Sequence, residues 1–223
     1  MKSTVTSYKG GLSVILDTNV LIRLMENLNC KIESFIRVIE EKIFCKCSLK
    51  VDVIISKESF EEIESSLKRK GKCEDEEIGK KLESSLIRYI RLIRLGGRRA
   101  KHKMVYLASL EKSRRKLKGK LGKKLYKECE RVLKNVKDRV DESLIINSLV
   151  KAHEYSRSKS AGLVVLLTTD GELSEKVTSV ASMTGLLNHI TSPNLKDKDI
   201  NECLSVDCYM ECILKRILRG YAE

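Results

Sequence analysis

The sequence predicts an α/β fold, a sandwich of helices around a mainly parallel sheet. Three short aliphatic runs, residues 12–17, 49–55 and 163–168, read as buried strands. Each is followed by a stretch with apolar residues at helical spacing, the alternation expected of parallel strands joined by crossovers. Two of the runs lead into an aspartate, Asp17 and Asp170. The carboxyl ends of parallel strands are where open sheets of this class bind ligands.

Taken in order, the first strand passes into a helix from Thr18 to about Asn29 with Val20, Leu21, Leu24 and Leu28 on one face. Ile32, Phe35, Ile36, Ile39 and Ile43 repeat that period over residues 31–44. After the second strand, Ser56 is placed to cap a helix carrying Phe60, Ile63 and Leu67. A charged turn with Gly71 precedes a helix from about Asp75, with Ile78, Leu82, Leu86, Ile90 and Ile93 in register, which Gly96-Gly97 ends. Then come a short strand at 103–108, a lysine-rich loop around Gly119 and Gly122, and helices at 123–136 and 140–156. The strand at 163–168 precedes a helix over 172–183, a last strand at 186–190 and a final helix over 200–218. With no internal repeat, residues 1–223 read as one domain with a core over 12–192 and an insertion or lid over 72–135.

The net charge of +13 is concentrated. Fourteen basic residues and one acid, Glu111, fall between Arg94 and Lys127, and the rest of the chain is neutral as a whole. Such a window is the electrostatic footprint of a nucleic-acid contact, the ordinary alternative being a solvated face. Arg98, Arg99, Lys101, Lys103, Arg114, Arg115, Lys116, Lys118, Lys120, Lys123 and Lys124 are its candidate contacts. Aromatics make up only 4% and Trp is absent, which argues against a base-stacking platform. No apolar stretch approaches the roughly 18 residues of a membrane span, so no membrane partner is expected. The polar start, residues 1–10, lacks a signal-peptide apolar region and points to an intracellular protein. The eight cysteines match no zinc-knuckle spacing and read as reduced thiols, and the three histidines form no cluster with a nucleophile. Acyl-transfer chemistry has no support.

Four acids carry the chemistry: Asp17 before Thr18-Asn19, Glu62 in the helix after the second strand, Asp141 opening a helix, and Asp170 after Thr168-Thr169. Each has an ordinary explanation alone. Asp17 and Asp170 are placed to cap helices, Asp141 suits a helix N-terminus, and Glu62 sits among Glu58, Glu61 and Glu64. Together, two strand-end acids and two helix-borne acids suit Mg²⁺ or Mn²⁺, hard cations that take oxygen ligands. Such ions activate water and stabilise charge in phosphodiester hydrolysis. Thr18, Asn19 and Thr168 are small polar residues suited to orienting the carboxylates.

The segment Leu16-Asp17-Thr18-Asn19-Val20-Leu21 resembles the opening motif of PIN-domain ribonucleases. Glu62-Ile63 resembles the second motif, Asp141 through Ile146 the third, and Val164 through Asp170 the fourth, in the family's order across residues 12–192. The fourth motif, with Gly171 to Val177, looks most like the PIN domains of eukaryotic mRNA surveillance, the endonucleases of nonsense-mediated decay and nuclear messenger quality control. The resemblance implies a PIN-like three-layer sandwich and metal-dependent endonucleolytic cleavage of single-stranded RNA, leaving 5′-phosphate and 3′-hydroxyl ends. It implies Asp17, Asp141 and Asp170 as metal ligands, Glu62 as a fourth ligand or water positioner, and Asn19 and Thr168 in support. It also implies ribonucleoprotein or mRNA-decay partners and a place in the nucleus or cytoplasm.

The pair Asp141-Glu142 leaves the third acid's register open, with Glu142 as a substitute. The basic stretch is longer than in compact toxin-type members, which argues against an antitoxin-controlled toxin. Two other readings stand beside the nuclease: an inactive RNA-binding or scaffold protein on the same fold, and a structure-specific DNA nuclease. Haloacid-dehalogenase-type chemistry is disfavoured because Asn19 stands where a second Asp is expected.

Overall fold

A computed structural model describes residues 11–44, 50–95, 103–136, 138–158, 162–193, 195–196, 202 and 212. Strand β1 (Gly11–Leu16) leads into α1 (Thr18–Asn27), and α2 (Ile32–Val38) runs on into a π-helical turn at Ile39–Ile43. Strand β2 (Lys50–Ser56) is followed by α3 (Ser59–Arg69) and α4 (Ile78–Leu95). Strand β3 (Lys103–Ala108) precedes α5 (Leu110–Leu133) and α6 (Arg139–Arg157). Then come β4 (Gly162–Leu167), α7 (Gly171–Met183), a 3-10 turn at Leu187–His189 and the short β5 (Ile190–Thr191).

The five strands lie in the order β3-β2-β1-β4-β5, and every pairing is parallel. Side chains alternate across a strand, and the central strands are aliphatic on both faces, as a sheet covered on both sides requires. Leu12, Val14 and Leu16 of β1 join Val51, Val53 and Ile55 of β2 in a core under α1–α4. Ile15, Ile54, Val164 and Leu166 face the other way, into a core under α5–α7. The result is the expected α/β sandwich, with three layers and a wholly parallel sheet. None of the described helices is long and apolar enough to cross a membrane.

The basic segment differs most from expectation. Residues 72–135, read as an insertion or lid, belong to the layers themselves: β3 pairs along β2, α4 packs under one face and α5 against the other. The anticipated lysine-rich loop is helical because Lys, Arg and Leu favour helix and because Leu110, Ser113 and Leu117 recur on the face that α6 covers. Only Gly122 leaves helical geometry, at φ 74, where glycine meets no Cβ penalty. The chain folds back there, bringing Tyr126 and Glu130 beside Arg114. The strand expected at 186–190 is reduced to β5 behind a 3-10 turn. The helix expected over 200–218 lies outside the described residues except for Glu202 and Cys212.

The reading of the cysteines as reduced thiols also needs correction. Cys30 and Cys73 are joined in a disulfide that links the turn after α1 to the loop after α3, while Cys129 is free and buried. Nothing in the 43-residue separation of the pair signals this contact, which depends on α1 and α3 packing side by side.

At the amino end of the sheet Gly11 of β1 stands opposite Gly162 of β4. The Tyr155 ring of α6 lies across this flat shelf, and its hydroxyl meets Ser13 Oγ at 2.8 Å. A Cβ on Gly162 would stand 2.1 Å from Tyr155 Cδ1. Gly162→Ala is therefore expected to destabilise the protein by about 1–3 kcal/mol in denaturant unfolding. In a Tyr155→Ala background the same change should cost much less, and equal costs in both backgrounds would exclude the ring as the cause.

Candidate active site

In the order β3-β2-β1-β4-β5 the chain leaves β1 on one side and builds β4 and β5 on the other. A sheet whose order reverses in this way opens a crevice at the carboxyl ends of the two strands at the reversal. Leu16 of β1 and Leu167 of β4 are register partners there, and the Asp17 amide donates to the Leu167 carbonyl at 3.0 Å. The loops that follow, Asp17-Thr18 and Thr168-Thr169-Asp170, therefore emerge side by side.

Asp17 is buried, with only 3% of its surface exposed. Its backbone occupies the N-cap position of α1, but its side chain makes no capping bond. The carboxylate instead accepts a 2.7 Å hydrogen bond from Thr168 Oγ1. That hydroxyl is itself oriented, accepting from the Asp170 amide at 2.9 Å. Burial raises the Asp17 pKa; Thr168 and the nearby amides of Thr18 and Asn19 oppose the rise, and the Asp170 charge adds to it. Asp170 does cap its helix: Oδ1 accepts from the Glu172 and Leu173 amides at 2.8 and 3.3 Å. Oδ2 has no hydrogen-bond partner among the described residues.

The helix-borne acids approach from two sides. Asp141 lies in the first turn of α6, and its pKa is pushed up to about 7 by burial first, then by the charges of Asp138, Asp17 and Asp170. Lys176 of α7 offsets part of this, although its ammonium also pairs with Glu172 at 2.6 Å. Glu62, half-buried on α3, has its pKa raised by burial and by Asp138 and Asp17, while the neighbouring Thr18 hydroxyl lowers it. The Thr18 hydroxyl also reaches Ser59 Oγ at 2.9 Å, tying α1 to α3. The other three expected acids thus stand within electrostatic reach of Asp17. Asn19 is exposed in the first turn of α1.

Glu142, considered as a substitute third acid, turns away. It is buried against α5 in a bidentate ion pair with Arg114, whose Nε lies 2.9 Å from Oε1. Neighbours on a helix point about 100° apart, so only one of the pair faces the crevice, and it is Asp141. Among the basic candidates Arg114 is committed to Glu142, and Lys120 pairs with Glu154 at 3.3 Å. Arg115, Lys116, Lys118, Lys123 and Lys124 are exposed along α5, and Arg115 makes only a 4.0 Å approach to Glu111. Lys103 lies on edge strand β3, and Arg98, Arg99 and Lys101 lie outside the described residues.

Two acids that sequence reasoning passed over matter here. Asp138 caps α6, accepting from the Val140 amide at 2.6 Å, and its charge is felt by both Asp141 and Glu62. Its position before a helical run is the signal that marks it as a cap. Glu58 looked like one more surface acid, yet it accepts from Ser56 Oγ at 2.6 Å, Ser143 Oγ at 3.1 Å and the Leu110 amide at 2.9 Å. Ser143 is also bonded by Asn147, which accepts from Ser113 Oγ at 2.6 Å. This chain of polar groups fixes α3, α5 and α6 relative to one another behind the acids, and no local spacing signals it. Beside the crevice, a 510 Å³ cleft between α3 and the start of α6 is lined by Lys57, Glu58, Glu61, Glu62, Asp138 and Arg139, among others.

The donors are oxygens, which suit Mg²⁺ or Mn²⁺ and not a thiophilic ion. Among the described residues, no three acidic, His or Cys side chains are drawn together tightly enough to enclose one ion.

No protein-family model matches the chain, and no curated protein matches it. Among solved structures, it is similar to AlbC, a cyclodipeptide synthase from Streptomyces noursei, at 13% identity over 87% of this chain and 99% of that one. The TM-score is 0.34, too low to carry an argument about fold or function.

The Asp141 carboxyl gives a stability prediction. Its folded-state pKa, about 7, lies above the ordinary 3.8, so its contribution is fully present below about pH 4 and is lost as pH rises through 7. In EDTA near pH 8, Asp141→Asn should be more stable than wild type by about 1–2 kcal/mol, discounted because the side chain is half in water. Thermal melts at both ends of the range test this; a gain that persists unchanged at pH 4 would exclude the titration.

Proposed function

We propose that the chain is a divalent-metal-dependent endoribonuclease of the PIN type, acting on single-stranded RNA. The observation that supports it most is the gathering of Asp17, Glu62, Asp141 and Asp170 around one strand-order reversal, with Asp141 raised to about 7 by burial and then by neighbouring acids. Carboxylates that repel one another in this way are a natural cation site, because a bound cation relieves the repulsion. The order of the four motifs, which resembles that of PIN-domain ribonucleases, adds to this.

In this reading Asp17, Asp141 and Asp170 hold Mg²⁺ or Mn²⁺, which when bound supplies an activated water and charge neutralisation at the phosphate. Thr168 keeps the Asp17 carboxylate turned to the crevice through its 2.7 Å bond. Asp170 spends one oxygen on the α7 cap and keeps the other for the ligand. Glu62, with its pKa raised by burial, is suited to orient a water and take its proton. The exposed cations of α5 suit a polyanion. A role in RNA quality control, with ribonucleoprotein partners, is part of the same proposal and follows from the resemblance. The absence, among the described residues, of three acids close enough to enclose an ion favours a second reading, an inactive RNA-binding scaffold.

Cleavage of a labelled single-stranded RNA in Mn²⁺ and in EDTA separates these. Wild type should cut only with the metal, leaving 5′-phosphates, and Asp17→Asn should lose at least roughly 100-fold in rate. RNA bound but uncut by both proteins supports the scaffold, and preferential cutting of competing flap DNA supports a DNA nuclease. Thr168→Val should lose about 10–100-fold while still folding, since it removes an orienting bond and no ligand.

A further inference from the structure

The Cys30–Cys73 disulfide joins α1 and α3 at the ends away from the acids, with the two Cα atoms 5.9 Å apart. Helix α1 ends in a turn where Asn29 and Cys30 both take positive φ, 48 and 56. Asparagine visits this left-handed region readily, but cysteine meets the full clash of its Cβ there. The Cys30 amide closes the turn, donating to the Met25 carbonyl at 2.8 Å. Helix α3 ends in a similar turn, closed by the Lys72 amide on the Leu67 carbonyl at 3.2 Å. There Gly71 holds the left-handed position at φ 58, so the backbone strain falls on the Cys30 side of the bond.

Both bonded cysteines are half-buried at the surface, unlike Cys129, which is buried in the core under α5–α7. A disulfide that is exposed and held by a strained residue is of the labile kind. The open state has partners at hand. Cys30 Sγ already lies 3.5 Å from the Lys72 carbonyl, an acceptor for the freed thiol. Lys70 and Glu26, 2.8 Å apart, still tie the two carboxyl ends. At the amino ends, beside Asp17 and Glu62, the 2.9 Å bond from Thr18 to Ser59 joins the same two helices.

We infer that the Cys30–Cys73 bond is a redox latch that a solvent dithiol opens in the native fold, and that it fixes the carboxyl ends of α1 and α3. A thiolate of the dithiol attacks one sulfur, the S–S bond breaks, and the displaced cysteine leaves as a thiolate and takes up a proton. The second sulfur of the dithiol then attacks the mixed disulfide and releases the other cysteine. Two electrons pass from the dithiol to the pair, and the dithiol closes into its own disulfide. Cys30 is then free to leave the left-handed region. The latch does not depend on the nuclease reading.

The test uses the full chain, purified without reductant, as wild type and as the C30S/C73S double variant. A pulse of dithiothreitol on the native chain is followed by iodoacetamide and peptide mass mapping. Cys30 and Cys73 should be alkylated and Cys129 should not. With the dithiol, the wild-type Tm should fall by about 5–10 °C, the effect of opening a loop of this length. C30S/C73S should melt at that lower temperature with and without dithiol, which separates the pair from every other cysteine. Amide hydrogen exchange in reduced wild type should quicken about tenfold over residues 27–31 and 69–73 and stay unchanged over 18–22 and 59–63. Alkylation of the pair only in denaturant makes it a permanent staple and overturns the inference. Alkylation before any dithiol is added leaves no bond to open and overturns it as well. An unchanged Tm after reduction, or exchange quickened equally along both helices, also overturns it. If C30S/C73S does not fold, the wild-type melts and exchange decide alone.

Discussion

The hydrogen bond from Thr168 Oγ1 to Asp17 Oδ2 spans the place where strand order reverses, and the candidate site is organised around it. It joins the ends of β1 and β4, strands that lie 151 residues apart at this point and meet only because the sheet is parallel. A parallel neighbour of β1 delivers its carboxyl end to the same edge; an antiparallel one would deliver its amino end. The bond therefore has the topology of the whole domain behind it. Neither residue reaches water to any extent, so the bond acts in a low-dielectric setting where an unpartnered carboxylate would be costly.

Around that bond, the carboxylates oppose one another. Asp17 is raised chiefly by burial and Asp141 by burial and three neighbouring charges, with only Lys176 in partial compensation. A fold that tolerates such repulsion must hold the helices by other means. The Glu58 network supplies one, since its hydrogen bonds run from β2 through α6 to α5 and fix the first turn of α6 from behind. Glu58 is the opposite case to Asp141: its hydrogen bonds outweigh burial and hold its pKa low, so it remains a charged brace. Two acids a few ångströms from one crevice thus have contrasting tasks, set by what surrounds them.

Much of this was legible in the chain. Aliphatic runs placed β1, β2, β3 and β4 to within about a residue, and an Asp closing an apolar run located both strand-end acids, because these signals are local. What was not legible depended on partners distant in sequence. Glu142 and Asp141 differ by one position, and only the docking of α5 decides which faces inward. Glu58 has no strand end or motif to mark it, and it gains meaning from the partners that β2, α5 and α6 bring to it. From sequence the lysine-rich stretch reads as loop because its charge masks a helical period of buried Leu110, Ser113 and Leu117.

The break at Gly122 changes how far the basic charge is spread. A straight helix of 24 residues would extend about 36 Å, several screening lengths at physiological salt. Folded back on itself, α5 presents the same cations within about half that span. Charges that would act on a polyanion one after another instead act on it together. One residue at φ 74 and ψ 166, a conformation that glycine adopts without strain, converts a charged rod into a charged plate.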